Sequence, residues 1–412
     1  MEVEVASKMA RATTEKPEPN PLYNGLEAGI LSRWLGGAIP TLPGWRSPVS
    51  DQQSSYPGGS KSRVSRAGSA VRDGRPTPDD LACIDLWRAA HAPVLNTFQA
   101  LLRGRARSQK VVVGQRHKRK ITIFGKLKRF PRMELARMDD IAGCRLIFDN
   151  IPKLYEFRKS LHAAKFKHKI RNEADKYDYL KSPKSTGYRG IHDVYEYDAQ
   201  SEQGKEYKGL FIELQYRTRV QHAWATAVEV IGVITSNQPK FQEGDKRYEQ
   251  VMGYASEILA RAHEDSKSCY PDLKDHEVVK GFLELDTDLG LLNILRGLNS
   301  SQPQVGALRN VILILNAGKP LEVRSFRYTA DALKALFEAE AAFPGTDVVL
   351  VKGESTEDIR LAFKNYFSDA REFIALIERG CEKLSGRTII QSSQGKSRTN
   401  RRASSAGATV RS

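Results

Sequence analysis

Four separated stretches of this chain carry polar residues at spacings that suit work on anionic groups. Within residues 209–218 polar and apolar side chains alternate, the pattern of a half-buried strand. A period of two sets Glu213, Gln215 and Arg217 on one face and Ile212, Leu214 and Tyr216 on the other. A second acid, Asp140, stands just before the apolar run that ends at Phe148. Between them lies a loop rich in Pro, Gly and Lys, residues 181–192, which presents Lys184, Tyr188 and His192. Upstream, residues 103–132 hold twelve Lys or Arg and no acid. So charged a stretch repels itself unless anions sit against it.

These parts point to nucleotide phosphates. Acids at two strands, Asp140 and Glu213, can share a magnesium ion, which keeps several waters and takes one or two protein carboxylates together with substrate phosphates. Arg116, Lys118, Lys126 and Arg145 would neutralise phosphate oxygens, and Tyr188 could stack on a base for about 1–3 kcal/mol. Each feature alone also fits a plain structural role, a paired carboxylate or a packing tyrosine; the argument rests on their combination.

The elements that must position these residues are legible in outline. Apolar residues Leu81, Ile84, Trp87, Ala90, Val94, Phe98 and Leu101 step by three or four, a helical stripe that packs against a central sheet. Pro93 should kink or split that helix near Ala92. Pro152 suits the first turn of a helix through Leu154, Phe157 and Leu161. Thr218 and Gln221 have capping-box spacing, so a helix starts after Thr218, with Ala223, Trp224, Ala227, Val228 and Ile231 facing the core and His222 turned elsewhere. Further on, residues 310–315 and 321–326 flank Asn316-Ala317-Gly318-Lys319-Pro320, a hairpin signal. A helix over 330–341, a strand over 347–351 and helices from 357 to about 384 follow.

The expected division is a flexible tail (1–57), a catalytic-type domain (58–240), a helical extension (241–300), a small α+β module (301–385) and a basic, disordered tail (386–412). The fold class is α/β (α+β): a mixed β-sheet of nucleotidyltransferase-like type, flanked by helices, with the small module after it. A formal charge of +16 over 412 residues favours an anionic partner. The absence of a long apolar run argues for a soluble, cytoplasmic protein with no membrane contact, and four widely spaced cysteines argue for reduced, mostly buried thiols.

The segments Asp140-Ile-Ala-Gly-Cys-Arg145, Pro183-Lys-Ser-Thr-Gly-Tyr-Arg-Gly-Ile-His192 and Glu213-Leu-Gln-Tyr-Arg-Thr218 resemble the synthetase domain of the RelA/SpoT alarmone synthetases, of the single-synthetase type. Arg116-His-Lys118, Thr122 and Lys126 match the family's basic ATP motif by spacing. The resemblance covers about residues 60–235. It implies pyrophosphoryl transfer from ATP to the 3′-hydroxyl of GDP or GTP, with Mg2+ held by Asp140 and Glu213 and with Glu213 activating the hydroxyl. Arg116, Lys118, Thr122, Lys126 and Arg145 would bind ATP; Lys184, Tyr188 and His192 would bind the acceptor nucleotide; Gln215 and Arg217 would support the site. Thr122, Thr186 and Val194 depart from the commoner family residues Ser, Asn and Gln, the last two beside the acceptor pocket. No His-Asp hydrolase motif stands upstream of residue 80, so synthesis without hydrolysis is expected. The first alternative is a toxic relative that modifies the 3′ end of tRNA, with the last module as its regulator; the second is an inactive nucleotide or RNA sensor. Homo-oligomerisation is left open.

Overall fold

The computed structural model describes residues 56–234, 244–297, 310–315, 321–343, 346–364 and 369–386; the N-terminal stretch 1–55, the expected division between residues 300 and 301 and the basic tail from 387 lie outside them. Three helices lead: α1 (Lys61–Arg72), α2 (Pro78–Ala89) and α3 (His91–Ala106). Thr77 and Asp80 cap α2 reciprocally. The expected long helix breaks at Ala90, two residues earlier than its proline suggests. Pro93 thereby falls in the first turn of α3, where a missing N–H costs no helical bond.

The chain then forms β1 (Val112–His117), α4 (Lys120–Arg129), β2 (Ala142–Phe148), α5 (Ile151–His162), β3 (Lys169–Ile170), β4 (Ile191–Glu196), a short α6 (Glu202–Lys205), β5 (Phe211–Thr218) and α7 (Arg219–Ile234). Next come the helices α8 (Lys246–Glu264), α9 (Asp275–Leu289) and α10 (Leu291–Gly297). Strands β6 (Asn310–Leu315) and β7 (Glu322–Phe326), helix α11 (Thr329–Ala342), strand β8 (Asp347–Lys352) and helices α12 (Thr356–Ala362) and α13 (Arg371–Ser385) complete it.

One mixed sheet runs in the order β3-β4-β5-β2-β1-β8-β6-β7. Only β2 and β5 pair in parallel; the other neighbours are antiparallel. The strands expected to form a separate small module therefore extend the same sheet, because Gln115 and Arg116 of β1 pair with Lys352 and Val351 of β8. The last helix goes elsewhere: Phe373, Ile374, Ile377 and Cys381 of α13 share a core with α7, α8 and α9. The helical extension and the carboxy-terminal part are thus interleaved rather than consecutive.

Alternation decides which face does what. One face buries Val113, Cys144, Leu146, Phe148, Leu214 and Tyr216 under α1 to α5. The opposite face carries Arg116, Arg145, Glu213 and Gln215. It is flanked by a smaller apolar cluster in which Ile147 meets Val311, Val349, Val351 and, from α12 and its end, Ile359, Ala362 and Phe363. All four cysteines are free, and three of them are buried. Among the described residues no helix is long and apolar enough to cross a membrane.

Candidate active site

Register assembles the site from residues distant in sequence. Arg116, Gly143, Glu213 and Val194 align across β1, β2, β5 and β4, and Gly114, Arg145, Gln215 and His192 form the next row but one on the same face. Asp140 stands two residues before β2, so it reaches the edge of these rows. A cavity of about 270 Å³ is lined by Arg116, Asp140, Arg145, Glu213, Gln215 and Phe363, together with the glycines and Cys144 between them. Both acids therefore border one space.

At one side of it, Lys118 Nζ and Lys126 Nζ donate to the two oxygens of Asp140 at 2.6 and 3.0 Å. Lys118 leaves β1 and Lys126 lies on α4, one helical turn beyond Thr122. Burial works to raise the Asp140 pKa, but the two ammonium groups outweigh it and hold the carboxylate below its ordinary range. Burial also pulls Lys118 below the usual lysine value despite its partner. A buried lysine that shares one carboxylate with a second lysine has charge to spare for a phosphate.

On the far side a chain of contacts runs Arg217, Tyr188, His192, Glu213, Gln215. Arg217 Nη2 donates to Tyr188 Oη at 3.2 Å, His192 Nε2 lies 2.5 Å from the same oxygen, His192 Nδ1 lies 2.8 Å from Glu213 Oε1, and Gln215 Nε2 donates to Glu213 Oε2 at 2.6 Å. Burial disfavours the His192 charge, yet Tyr188 and Glu213 outweigh it and push its pKa up to about 9. Burial likewise opposes the Tyr188 phenolate, while Arg217 and His192 bring it down to about 7. Glu213 is held below its normal range, chiefly by His192 against the cost of burial. Lys184 Nζ sits 4.4 Å from the Tyr179 ring centre and 5.5 Å from that of Tyr188, and Arg217 caps the same Tyr188 ring at 5.3 Å.

The loop holding Tyr188 is fixed from behind. Gly187 has φ +86° and would place a Cβ 2.9 Å from Ser256 Cβ, a conformation and a closeness that only glycine tolerates. Ser256 Oγ donates to the Gly187 carbonyl at 2.6 Å. Arg189 Nη1 meets Glu264 Oε2 at 2.5 Å, each side chain 3 % exposed, and Glu264 also accepts from Thr218 Oγ1 and Gln221 Nε2. Thr218 and Gln221 form the expected capping box, with bonds of 3.0 and 3.2 Å.

Apart from Thr122, whose hydroxyl has no contact there among the described residues, the site residues singled out in the sequence line the cavity or belong to the contacts beside it, and two of the neighbourhoods differ from expectation. Arg145 lines the cavity but is already engaged by the protein: its Nη1 donates to the Ala362 carbonyl at 2.6 Å and its guanidinium stands 5.7 Å from the Phe363 ring centre. Burial, then Arg217 and Arg116, pulls its pKa down to about 9. His222, expected to turn from the core, is 1 % exposed and donates through Nε2 to the Leu361 carbonyl at 2.6 Å. Ser256, Glu264, Ala362 and Phe363 escaped the sequence reading.

Asp140 and Glu213 suit a magnesium ion by chemistry, being hard oxygen donors at one cavity beside cationic groups. Among the described residues no group of three or more His, Cys, Asp or Glu is placed to hold a metal, so any ion here would complete its shell with water or substrate oxygens.

A mixed sheet with two acids and a cationic wall on one face is suited to hold anionic groups. Residues 115–231 match the family model described as the region found in RelA/SpoT proteins. It is 32% identical over 99 residues to the GTP pyrophosphokinase YjbM of Bacillus subtilis, covering 24% of this chain and 44% of that protein. It is 29% identical over 181 residues to an uncharacterised Mycobacterium tuberculosis protein, 43% of this chain and 60% of that one. The chain thus spans about half the length of these relatives. Solved structures similar to it include small alarmone synthetase 1 from B. subtilis (24% identity, 42% of this chain and 88% of that chain, TM-score 0.34) and a GTP pyrophosphokinase family protein from Streptococcus pneumoniae (21%, 47% and 94%, TM-score 0.36).

Proposed function

We propose that this chain is a cytoplasmic pyrophosphotransferase that moves the β,γ-pyrophosphoryl group of ATP to the 3′-hydroxyl of GDP or GTP, giving a guanosine tetra- or pentaphosphate and AMP, and that it does not hydrolyse its product. The observation that carries the reading is the pair Asp140 and Glu213, drawn from separate segments to one cavity beside Lys118, Lys126, Arg116 and Arg145.

Lys118 and Lys126 would take the phosphate oxygens, with Thr122 supplying a hydroxyl one turn from Lys126. Arg116 and Arg145 offer planar faces to a base or forks to a phosphate. Glu213, kept ionised by His192, is in the state that can accept the hydroxyl proton as the new O–P bond forms and the bond to AMP breaks. Its carboxylate and that of Asp140 would hold Mg2+, which supplies neutralisation of the charge growing on the phosphoryl oxygens. Tyr188 would stack on guanine, with Lys184 and Arg217 at its ring and His192 at its hydroxyl.

Incubation with Mg2+ and ATP labelled at the β-phosphate, with GDP, GTP or bulk tRNA as acceptor, tests this. Label should appear in a guanosine product, and Glu213→Gln should lower the rate by at least a hundredfold. Transfer to tRNA alone would replace the acceptor, and transfer to none would remove the reading.

A further inference from the structure

The donor side of the cavity is already engaged by the protein itself. Helix α12 lies on the site face of the sheet, alongside β1 and β2. Its end approaches so closely that a Cβ on Gly114 would stand 2.7 Å from Ala362 Cβ and 3.2 Å from the Phe363 ring. Ala362 gives its carbonyl to Arg145 Nη1 at 2.6 Å, Leu361 gives its carbonyl to His222 Nε2 at 2.6 Å, and the Phe363 ring faces the Arg145 guanidinium at 5.7 Å. The ring lines the same cavity as Asp140 and Glu213.

We propose that the segment Leu361–Phe363 is an internal competitor for the donor nucleotide, with Phe363 standing on Arg145 in place of a purine ring and the Ala362 carbonyl in place of an acceptor on the ligand. The proposal rests on the reading of this cavity as an ATP site. A guanidinium offers an aromatic group its flat face and a ligand oxygen its N–H fork, and α12 satisfies both at once. Arg145 Nε is buried without a hydrogen-bond partner among the described residues, so the competitor leaves part of the fork unused. A seven-residue helix is marginal by itself, which lets it yield to a ligand that uses the whole fork and brings phosphates to Lys118 and Lys126. The apparent affinity for ATP is then the intrinsic one reduced by the fraction of molecules in which α12 has moved away.

The test uses the full chain and α,β-methylene-ATP, whose α–β link cannot be cleaved, with Mg2+. Phe363→Leu keeps an apolar side chain in the cluster with Val351 and Ile359 and removes the flat ring. It should bind the analogue about tenfold more tightly than the wild type by calorimetry, as expected if the covered state holds about nine molecules in ten. In the wild type, saturating analogue should speed hydrogen exchange over residues 356–363 at least several-fold. Equal or weaker binding by the folded variant would overturn the proposal, because the ring would then be neutral or part of the nucleotide seat. Unchanged or slower exchange with analogue bound would overturn it as well, and this second readout decides alone if Phe363→Leu does not fold. If neither protein binds the analogue at millimolar concentration while both unfold cooperatively, the ATP-site reading itself falls.

Discussion

Removing the Glu264 carboxylate should detach the Tyr188 loop while leaving the domain folded. Glu264 is the last residue of α8, where a negative charge opposes the helix dipole. It is tolerated there because Arg189 pairs with it at 2.5 Å and because Thr218 and Gln221 donate to its other oxygen. Arg189 is buried, so Glu264→Ala leaves a guanidinium without a counter-charge, a loss of about 3–5 kcal/mol. Glu264→Gln keeps the shape and an acceptor but weakens a charge-assisted bond, a loss of about 1.5–3 kcal/mol. Against a total stability of about 5–15 kcal/mol both proteins should still fold. Urea unfolding with an unchanged m-value reads the stability. The KM for the guanosine acceptor should rise at least tenfold in Glu264→Ala, with the KM for ATP changing less, because Arg189 adjoins Tyr188 and not Lys118. A loss below about 1 kcal/mol together with an unaltered acceptor KM would refute this account of what fixes the loop.

Tyr188→Ala should lower kcat/KM for the guanosine acceptor by about ten- to a hundredfold, the equivalent of the ~1–3 kcal/mol of a lost base stack, while Tyr188→Phe keeps most of it; steady-state rates on both variants check this, and an active Ala variant contradicts it. For His192 the folded pKa of about 9 exceeds the ordinary 6.5, so its contribution is complete below pH 6.5 and disappears as pH rises through 9. It amounts to at most about 3 kcal/mol. Relative to His192→Gln, the wild type should lose its stability advantage between pH 6.5 and 9 in urea titrations, and NMR titration of the ring should show the raised pKa, which Glu213→Gln brings back toward 6.5.

Much of the site was readable because a strand repeats every two residues. Glu213, Gln215 and Arg217 had to share a face, and the cation-rich run had to meet anions. The helix cap at Thr218 and Gln221 and the hairpin signal around residues 316–320 were local patterns of the same kind, and the flanking strands β6 and β7 pair as that signal predicts. What failed to show was long-range pairing. Nothing in residues 347–352 says that they will pair with β1 as well as with β6, since the continuous apolar run of β8 marks a buried strand without naming its neighbours. His222 was misplaced for a related reason. Its helical position pointed away from the α7 stripe, but a second layer, α12, covers that side too. Glu264 is legible only once α8 is seen to end beside the loop it anchors.

The two ends of the cavity are built with different stiffness, and that difference follows from how each is held. At the Tyr188 end a 19-residue helix supplies a fully buried ion pair, a serine bond to the backbone and a close glycine contact. Opening that end would uncover charges in an apolar setting, at a cost of several kcal/mol. At the Arg145 end a seven-residue helix supplies two backbone carbonyls and one ring. Lifting it exposes carbonyls that water satisfies and a guanidinium that regains solvent, so the opening free energy is drawn from the apolar contacts of Ile359, Ala362 and Phe363. An aromatic plate that must meet one base in one orientation benefits from the first kind of support; a site that is covered until a highly charged ligand arrives requires the second.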